Sequence, residues 1–181
     1  MIIHIDGVQG SGKSYLCSQL KMKCIDTDDI ATQAYNTIEK SQKTKQKIPR
    51  TMYQIKKISN KIIQSLCRSG DIVFVGMTAT IPNPDIKYFI KITDFKTVFK
   101  RLVSRELDKI IKNQTKIKKA INNMENPKMD LIKREGNLSV PFPPNYNDFI
   151  SDYKERSKVA KKNGYELKTQ EQIIQQINNL K

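Results

Sequence analysis

The chain has 181 residues, with 33 Lys+Arg against 18 Asp+Glu, a formal net charge of +15 and 38% hydrophobic residues. That length suits one domain, residues 1–181, with a well-buried core and room for a mobile insert. It excludes a membrane span, because the longest apolar stretch, Ile72 to Val75 with its neighbours, is far too short to cross a bilayer. The N-terminus runs straight into a strand pattern without the marks of a signal peptide. Cys17, Cys24 and Cys67 show neither C-x-x-C spacing nor an even count, which predicts reduced, buried thiols in an intracellular, cytoplasmic setting.

The positive charge is unevenly spread. Between Glu39 and Asp71 there is no acid, while Lys40, Lys43, Lys45, Lys47, Arg50, Lys56, Lys57, Lys61 and Arg68 all fall there. Such a stretch attracts polyanions. It serves equally a nucleic-acid partner through Lys40–Lys61, an anionic nucleotide, or a merely solvated face in a Lys-, Ile- and Asn-rich chain.

In chain order, Ile2 to Asp6 reads as a first strand, Lys13 to Leu20 as a helix and Met22 to Asp26 as a short second strand. A helix from Asp29 to about Glu39 and a polar loop from Lys40 to Lys47 follow. In the helix Arg50–Arg68, Ile55, Ile58, Ile62, Ile63 and Leu66 recur at helical spacing. Asp71 to Val75 is a buried strand by its Ile-Val-Phe-Val run, and Lys87 to Ile92 is a fourth. Asp94 opens a helix to about Lys112, with Phe95, Val98, Phe99, Leu102 and Leu107 directed inward. From Asn113 to Tyr146 periodicity fades, marking a candidate lid or insert. The chain closes with a helix over Asp148–Lys162, a turn at Asn163-Gly164, a strand over Tyr165–Leu167 and a helix over Thr169–Asn179, where Thr169 and Gln172 form a capping box. The β-α alternation predicts an α/β fold, a parallel five-stranded sheet with helices on both faces in three layers.

Gly7-Val8-Gln9-Gly10-Ser11-Gly12-Lys13-Ser14 has the spacing G-x-x-x-x-G-K-[ST], the phosphate-binding P-loop (Walker A) pattern, in the context of strand, glycine turn and helix that it requires. Gly7, Gly10 and Gly12 let backbone N–H groups converge on phosphate oxygens, with Ser11 and Tyr15 beside them. Lys13 reaches the outer phosphates and Ser14 offers a hydroxyl to Mg²⁺. The third strand ends in Gly76 without an acid, so the carboxylates come from Asp26-Thr27-Asp28-Asp29 after the second strand. In a parallel sheet these share one edge with the loop. Asp26 and Asp28 there suit metal binding and proton acceptance, although the acids also suit a helix N-cap cluster, with Asp28 or Asp29 capping the helix that follows. Arg101 and Arg105, four apart, share a helix face and suit charge neutralisation in phosphoryl transfer, or simple solvation with Arg105 paired to Glu106 or Asp108. Arg50, Arg134 and Arg156 are weaker candidates, and the lone His4 reads as a packed strand residue.

These spaced features resemble the small P-loop kinases, the shikimate kinase, adenylate kinase and nucleoside-kinase group. Gly7 to Ser14 looks like that group's phosphate loop, Asp26-Thr27-Asp28 is similar to the D-[ST]-D signature of its shikimate-kinase-like members, and Arg101 with Arg105 looks like its R-x-x-x-R before a lid. The resemblance implies ATP and Mg²⁺, a metal site at Ser14 and Asp26, an acceptor hydroxyl at Asp28 and an adenine border near Lys168-Thr169. It departs after the third strand, where shikimate-specific members carry a glycine triplet and this chain has only Gly76. The expectation is an ATP-dependent kinase (phosphotransferase) for a small hydroxyl or phosphate acceptor, a nucleoside or nucleotide first. A kinase acting on a nucleic-acid hydroxyl and a non-kinase nucleotide-gated ATPase are the alternatives.

Overall fold

The computed structural model describes residues 1–43, 52–76, 81–122, 136–138, 140 and 142–180. Lys45, Lys47, Arg50, Arg134 and the 77–80 segment lie outside them. The chain forms two compact units, Met1–Lys91 with Arg156–Lys181, and Ile92–Glu155.

The first unit is built on five parallel strands, β1 (Ile2–Asp6), β2 (Cys24–Asp26), β3 (Ile72–Val75), β4 (Ile86–Ile90) and β5 (Glu166–Lys168), in the order β2-β3-β1-β4-β5. β1 is central: Ile3 lies opposite Val73 on one side and Ile86 on the other. Strands covered on both faces read as continuous apolar runs. All four residues of β3 are buried accordingly. Side chains alternate across the sheet. Ile3, Ile5, Val73 and Val75 pack on one face with Leu16 of α1 (Lys13–Gln19) and with Ile173 and Ile177 of a C-terminal helix, Gln170–Asn178. Ile72 and Phe74 pack on the other face with Ile30 of α2 (Thr27–Lys43) and Ile63 of α3 (Met52–Arg68). Helices therefore cover both faces of the sheet.

The second unit holds α4 (Phe95–Lys112), α5 (Gln114–Asn122) and most of α6 (Tyr146–Lys162). Asp94 caps α4 by accepting from the Thr97 N–H at 3.1 Å. An aromatic cluster organises this unit: Phe95 stacks edge-on against Tyr153 and Phe149, and Phe99 against Tyr146. The C-terminal helix Gln170–Asn178 is α7. It begins with the capping box expected at Thr169 and Gln172, both reciprocal bonds being formed.

Three expectations change. α2 starts two residues before Asp29 and runs on to Lys43, into the stretch read as a polar loop. Leu107 is 43% exposed rather than inward, because it lies outside the arc of α4 that carries Phe95, Phe99 and Leu102. Cys17 and Cys24 are not free thiols but form a disulfide, their Cα atoms 5.5 Å apart. The reason is local: α1 ends at Gln19, and the short turn into β2 brings the two side chains together. Cys67 alone is free. No described helix is long and apolar enough to cross a membrane.

Candidate active site

β1 ends at Asp6, and the chain turns through residues 7–12 before entering α1. Gly10 and Gly12 both adopt φ near 80°, a left-handed conformation that side chains rarely take. At Gly12 a second constraint applies, since a Cβ there would run into the side-chain amide of Gln170. Gln170 is the first residue of α7, and its Nε2 donates to the Ser11 carbonyl at 2.6 Å. The turn is thus braced from the far end of the chain.

Lys13 folds back over this turn. Its Nζ donates to the carbonyl oxygens of Gly7 (2.6 Å) and Val8 (3.0 Å). Burial pushes its pKa down to about 8; the charges of Asp6, Asp26 and Asp28 pull it back up, and Arg156 presses it further down. Three carboxylates and a guanidinium of the first unit thus act by charge on one ammonium. Asp6 also accepts from the Gly7 N–H at 2.6 Å, fixing the entry to the turn.

Beside Lys13, the Ser14 hydroxyl donates to Asp26 Oδ2 at 3.3 Å. The other carboxylate oxygen, Asp26 Oδ1, accepts from the Asp28 N–H at 3.0 Å. Sequence alone placed Ser14 and Asp26 together as metal ligands, and they are adjacent. Thr27, between the two acids, is buried, and Gly76 at the end of β3 must be glycine because a Cβ would collide with the Thr27 hydroxyl. Three buried polar atoms here have no protein partner: Gln9 Oε1, Ser11 Oγ and Thr27 Oγ1. Buried polar atoms are nearly always hydrogen-bonded. Two of these orphans, Gln9 and Ser11, belong to the turn itself, and the third, Thr27, lies against Gly76 between the two acids.

The remaining expected residues are placed as follows. Tyr15 projects outward, 61% exposed. Lys168, at the end of β5, gives its ammonium to Gln176 (2.6 Å) and Glu166 (2.7 Å) and sits over the Tyr88 ring. Arg101 and Arg105 are exposed on α4 in the second unit, and the Arg105 guanidinium is taken by the buried Glu106 at 3.0 Å. His4 is packed, as expected. Its Nε2 lies 3.1 Å from the Gly76 carbonyl and must carry the proton, so Nδ1 accepts from the Tyr165 hydroxyl at 2.6 Å. Asp6, Gln9, Thr27 and Gln170 were not singled out from sequence. Only Asp6 had a signal, an acid closing an apolar strand directly before the glycine turn; Gln170 is brought in by the fold from 158 positions beyond Gly12.

Between α2, α3 and β2 lies a groove of about 370 Å³, lined by Ile25, Asp29, Ile30, Gln33, Ile62 and Leu66, with Ser65 at its side. Its walls are mostly apolar, with one carboxylate and one amide a helical turn apart.

Magnesium fits what is present: the nearby donors are hard oxygens, a hydroxyl and one carboxylate. No group of three or more His, Cys, Asp or Glu side chains suited to holding a metal occurs among the described residues. A magnesium ion does not need one, since it takes one or two carboxylates and completes its shell with phosphate oxygens and water.

No family model matches this chain, and no curated protein matches it significantly. Among solved structures, the chain is similar to the crystal structure of TT1252 from Thermus thermophilus, at 17% identity over 58% of this chain and 72% of that one, with a TM-score of 0.41.

Proposed function

We propose that this protein is a P-loop kinase, an ATP-dependent phosphotransferase acting on a small nucleoside- or nucleotide-like acceptor. The observation that carries the reading is the buried Lys13 ammonium, held down to about 8 by burial in a glycine turn whose own polar atoms lack partners. A cation so placed raises the energy of the empty fold and is relieved by an anion. A polyphosphate supplies that charge and accepts from loop amides as well.

In this reading Lys13 leaves the Gly7 and Val8 carbonyls for the β- and γ-phosphates, while Gly7, Gly10, Ser11 and Gly12 line the phosphate path. Ser14 and Asp26 hold Mg²⁺, which when bound neutralises charge on the outer phosphates. The acceptor hydroxyl attacks the γ-phosphorus, the bond to the bridging β,γ oxygen breaks, and ADP departs. Asp28 takes the hydroxyl proton, since its neighbour Asp26 is committed to the metal. Arg156, whose charge acts on Lys13, is a further candidate to meet transferring charge. Arg101 remains a candidate for neutralising the transferring charge. Arg105 does so only if it leaves Glu106. The groove beside Asp29 has room for a nucleoside-sized acceptor.

A panel tests this: labelled ATP with Mg²⁺ against nucleosides, nucleoside monophosphates, shikimate and short DNA or RNA, with thermal shifts on the same ligands. Transfer to a small acceptor is the expected result. Stabilisation by ATP without transfer to any of them would leave a nucleotide holder, and transfer only to the oligonucleotides would move the protein to the nucleic-acid kinases.

A further inference from the structure

The disulfide lies where the proposed metal ligands meet. Cys17 is three residues beyond Ser14 on α1, and Cys24 is two residues before Asp26 on β2. The covalent link therefore joins the two elements whose side chains meet at the 3.3 Å Ser14–Asp26 hydrogen bond. Both cysteines are only partly buried at the edge of the core cluster, so small thiols and disulfides reach them. The third cysteine is unlike them. Cys67 packs on the opposite face of the sheet, and burial pushes its thiol pKa up, which disfavours the thiolate that exchange requires. Redox chemistry is thus confined to one pair.

We propose that Cys17–Cys24 is a reversible thiol–disulfide site that locks α1 to β2 and so controls the metal-dependent part of nucleotide binding. The inference rests on the kinase reading for its consequence, not for its chemistry. The oxidant class is a low-molecular-weight disulfide such as oxidised glutathione. One cysteine thiolate attacks a glutathione sulfur, the glutathione S–S bond breaks, and one glutathione thiolate leaves. The second cysteine then attacks the mixed disulfide, forming the Cys17–Cys24 bond and expelling the second glutathione. The two protons lost by the cysteines end on the two glutathione thiols, and two electrons have passed from protein to glutathione.

The turn between the cysteines has a second tie. Asn178 of α7 accepts from the Lys21 N–H (2.8 Å) and donates to the Gln19 carbonyl (3.1 Å). Reduction consequently loosens the Ser14–Asp26 register without releasing the whole turn. The expected effect is a graded loss, about five- to tenfold in affinity for Mg·ATP, with a smaller change for ATP in EDTA.

The experiment compares the full chain after oxidised glutathione and after dithiothreitol, alongside Cys17→Ser/Cys24→Ser and Cys67→Ser. A non-reducing peptide map, hydrogen exchange over residues 13–28 and Mg·ATP affinity are measured on each. The expected pattern is a Cys17–Cys24 peptide in the oxidised chain, faster exchange and weaker Mg·ATP binding on reduction, the double variant fixed in the reduced behaviour, and Cys67→Ser responding fully. Absence of the cross-linked peptide, or equal exchange and affinity in both states, overturns the proposal. Loss of the response in Cys67→Ser overturns it too. If exchange responds but ATP binds in neither state, the lock stands as a redox site, its control of nucleotide binding is refuted, and the kinase reading falls.

Discussion

Two buried charges in this chain have opposite surroundings. Glu106, in the second unit, is fully buried, and its Oε1 accepts from Arg105 at 3.1 Å and Lys109 at 3.1 Å, both on the same helix. Lys13, in the first unit, has only backbone carbonyls in direct contact. Its acidic neighbours act on it through charge, and burial outweighs them. A charge met by side chains of its own helix serves the fold. A charge that burial leaves short of compensation, in a turn whose Gln9 and Ser11 side-chain oxygens lack partners, is what the proposed phosphate site needs.

The largest effect should come from Lys13. Lys13→Met is expected to remove ATP-dependent transfer, a drop of at least about 10³-fold in kcat/KM, as for loss of a main charge-stabilising group. The same substitution should stabilise the protein without ligand by roughly 3 kcal/mol at pH 7, because Lys13 falls from 10.5 to about 8 and each pKa unit of depression corresponds to roughly 1.4 kcal/mol. The sign follows from linkage. With its pKa lowered from 10.5 to about 8, Lys13 binds fewer protons folded than unfolded between those values. Its contribution is fully present above pH 10.5 and is lost as pH falls through about 8. Urea unfolding should show a more positive dependence of stability on pH across that window in wild type than in Lys13→Met. Equal slopes would mean that Lys13 is as well satisfied as Glu106, and the contrast would collapse.

Glu106→Gln addresses the other side. Replacing a buried carboxylate that holds two cations should cost about 2 kcal/mol, the cations recovering part of the loss in water because Arg105 and Lys109 are 43% and 28% exposed. ATP binding per folded molecule should be unchanged. A Glu106→Gln chain of full stability but altered Mg·ATP affinity would place this cluster in the site and undo the division drawn above.

What could be read from the sequence follows the range over which each signal acts. The strands of the sheet and the face of α3 were legible because alternating or helical apolar spacing is local. So was the cap at Thr169, since Gln172 stands three residues away. Thr169→Ala should accordingly cost about 1 kcal/mol, seen as a lowered urea midpoint. Lys13, Ser14 and Asp26 were legible because a glycine spacing and one sheet edge are enough to align them. Gln170 was not, because nothing local distinguishes a glutamine at a helix start from one that reaches the turn at Ser11. The Cys17–Cys24 bond was missed for a different reason: seven residues apart across a helix end, the pair has no spacing signature, and only the length of the turn into β2 brings it together.

His4 provides the smallest and most selective probe. Its pKa is lowered, chiefly by burial, with the Gly76 carbonyl and Asp6 acting to raise it and Lys87 to lower it further. A histidine kept neutral by the fold contributes stability that is present above the unfolded value of 6.5 and is lost as pH falls toward the folded one. The slope cannot exceed about 1.4 kcal/mol per pH unit, the ceiling for a single proton. Protonation at Nδ1 would also reverse the bond with Tyr165, making its hydroxyl, which reaches His4 from the entry to β5, the acceptor. His4→Gln keeps an amide donor for Gly76 and removes the titration, so its unfolding free energy should lose the part of the fall below pH 6.5 that His4 contributes in wild type. Because Gly76 lies against Thr27, between the two acids of the site, Mg·ATP affinity in that range should weaken in wild type and hold steadier in His4→Gln. Matching profiles for the two proteins would assign the acid sensitivity to the carboxylates around Lys13 instead, and would leave His4 as packing alone.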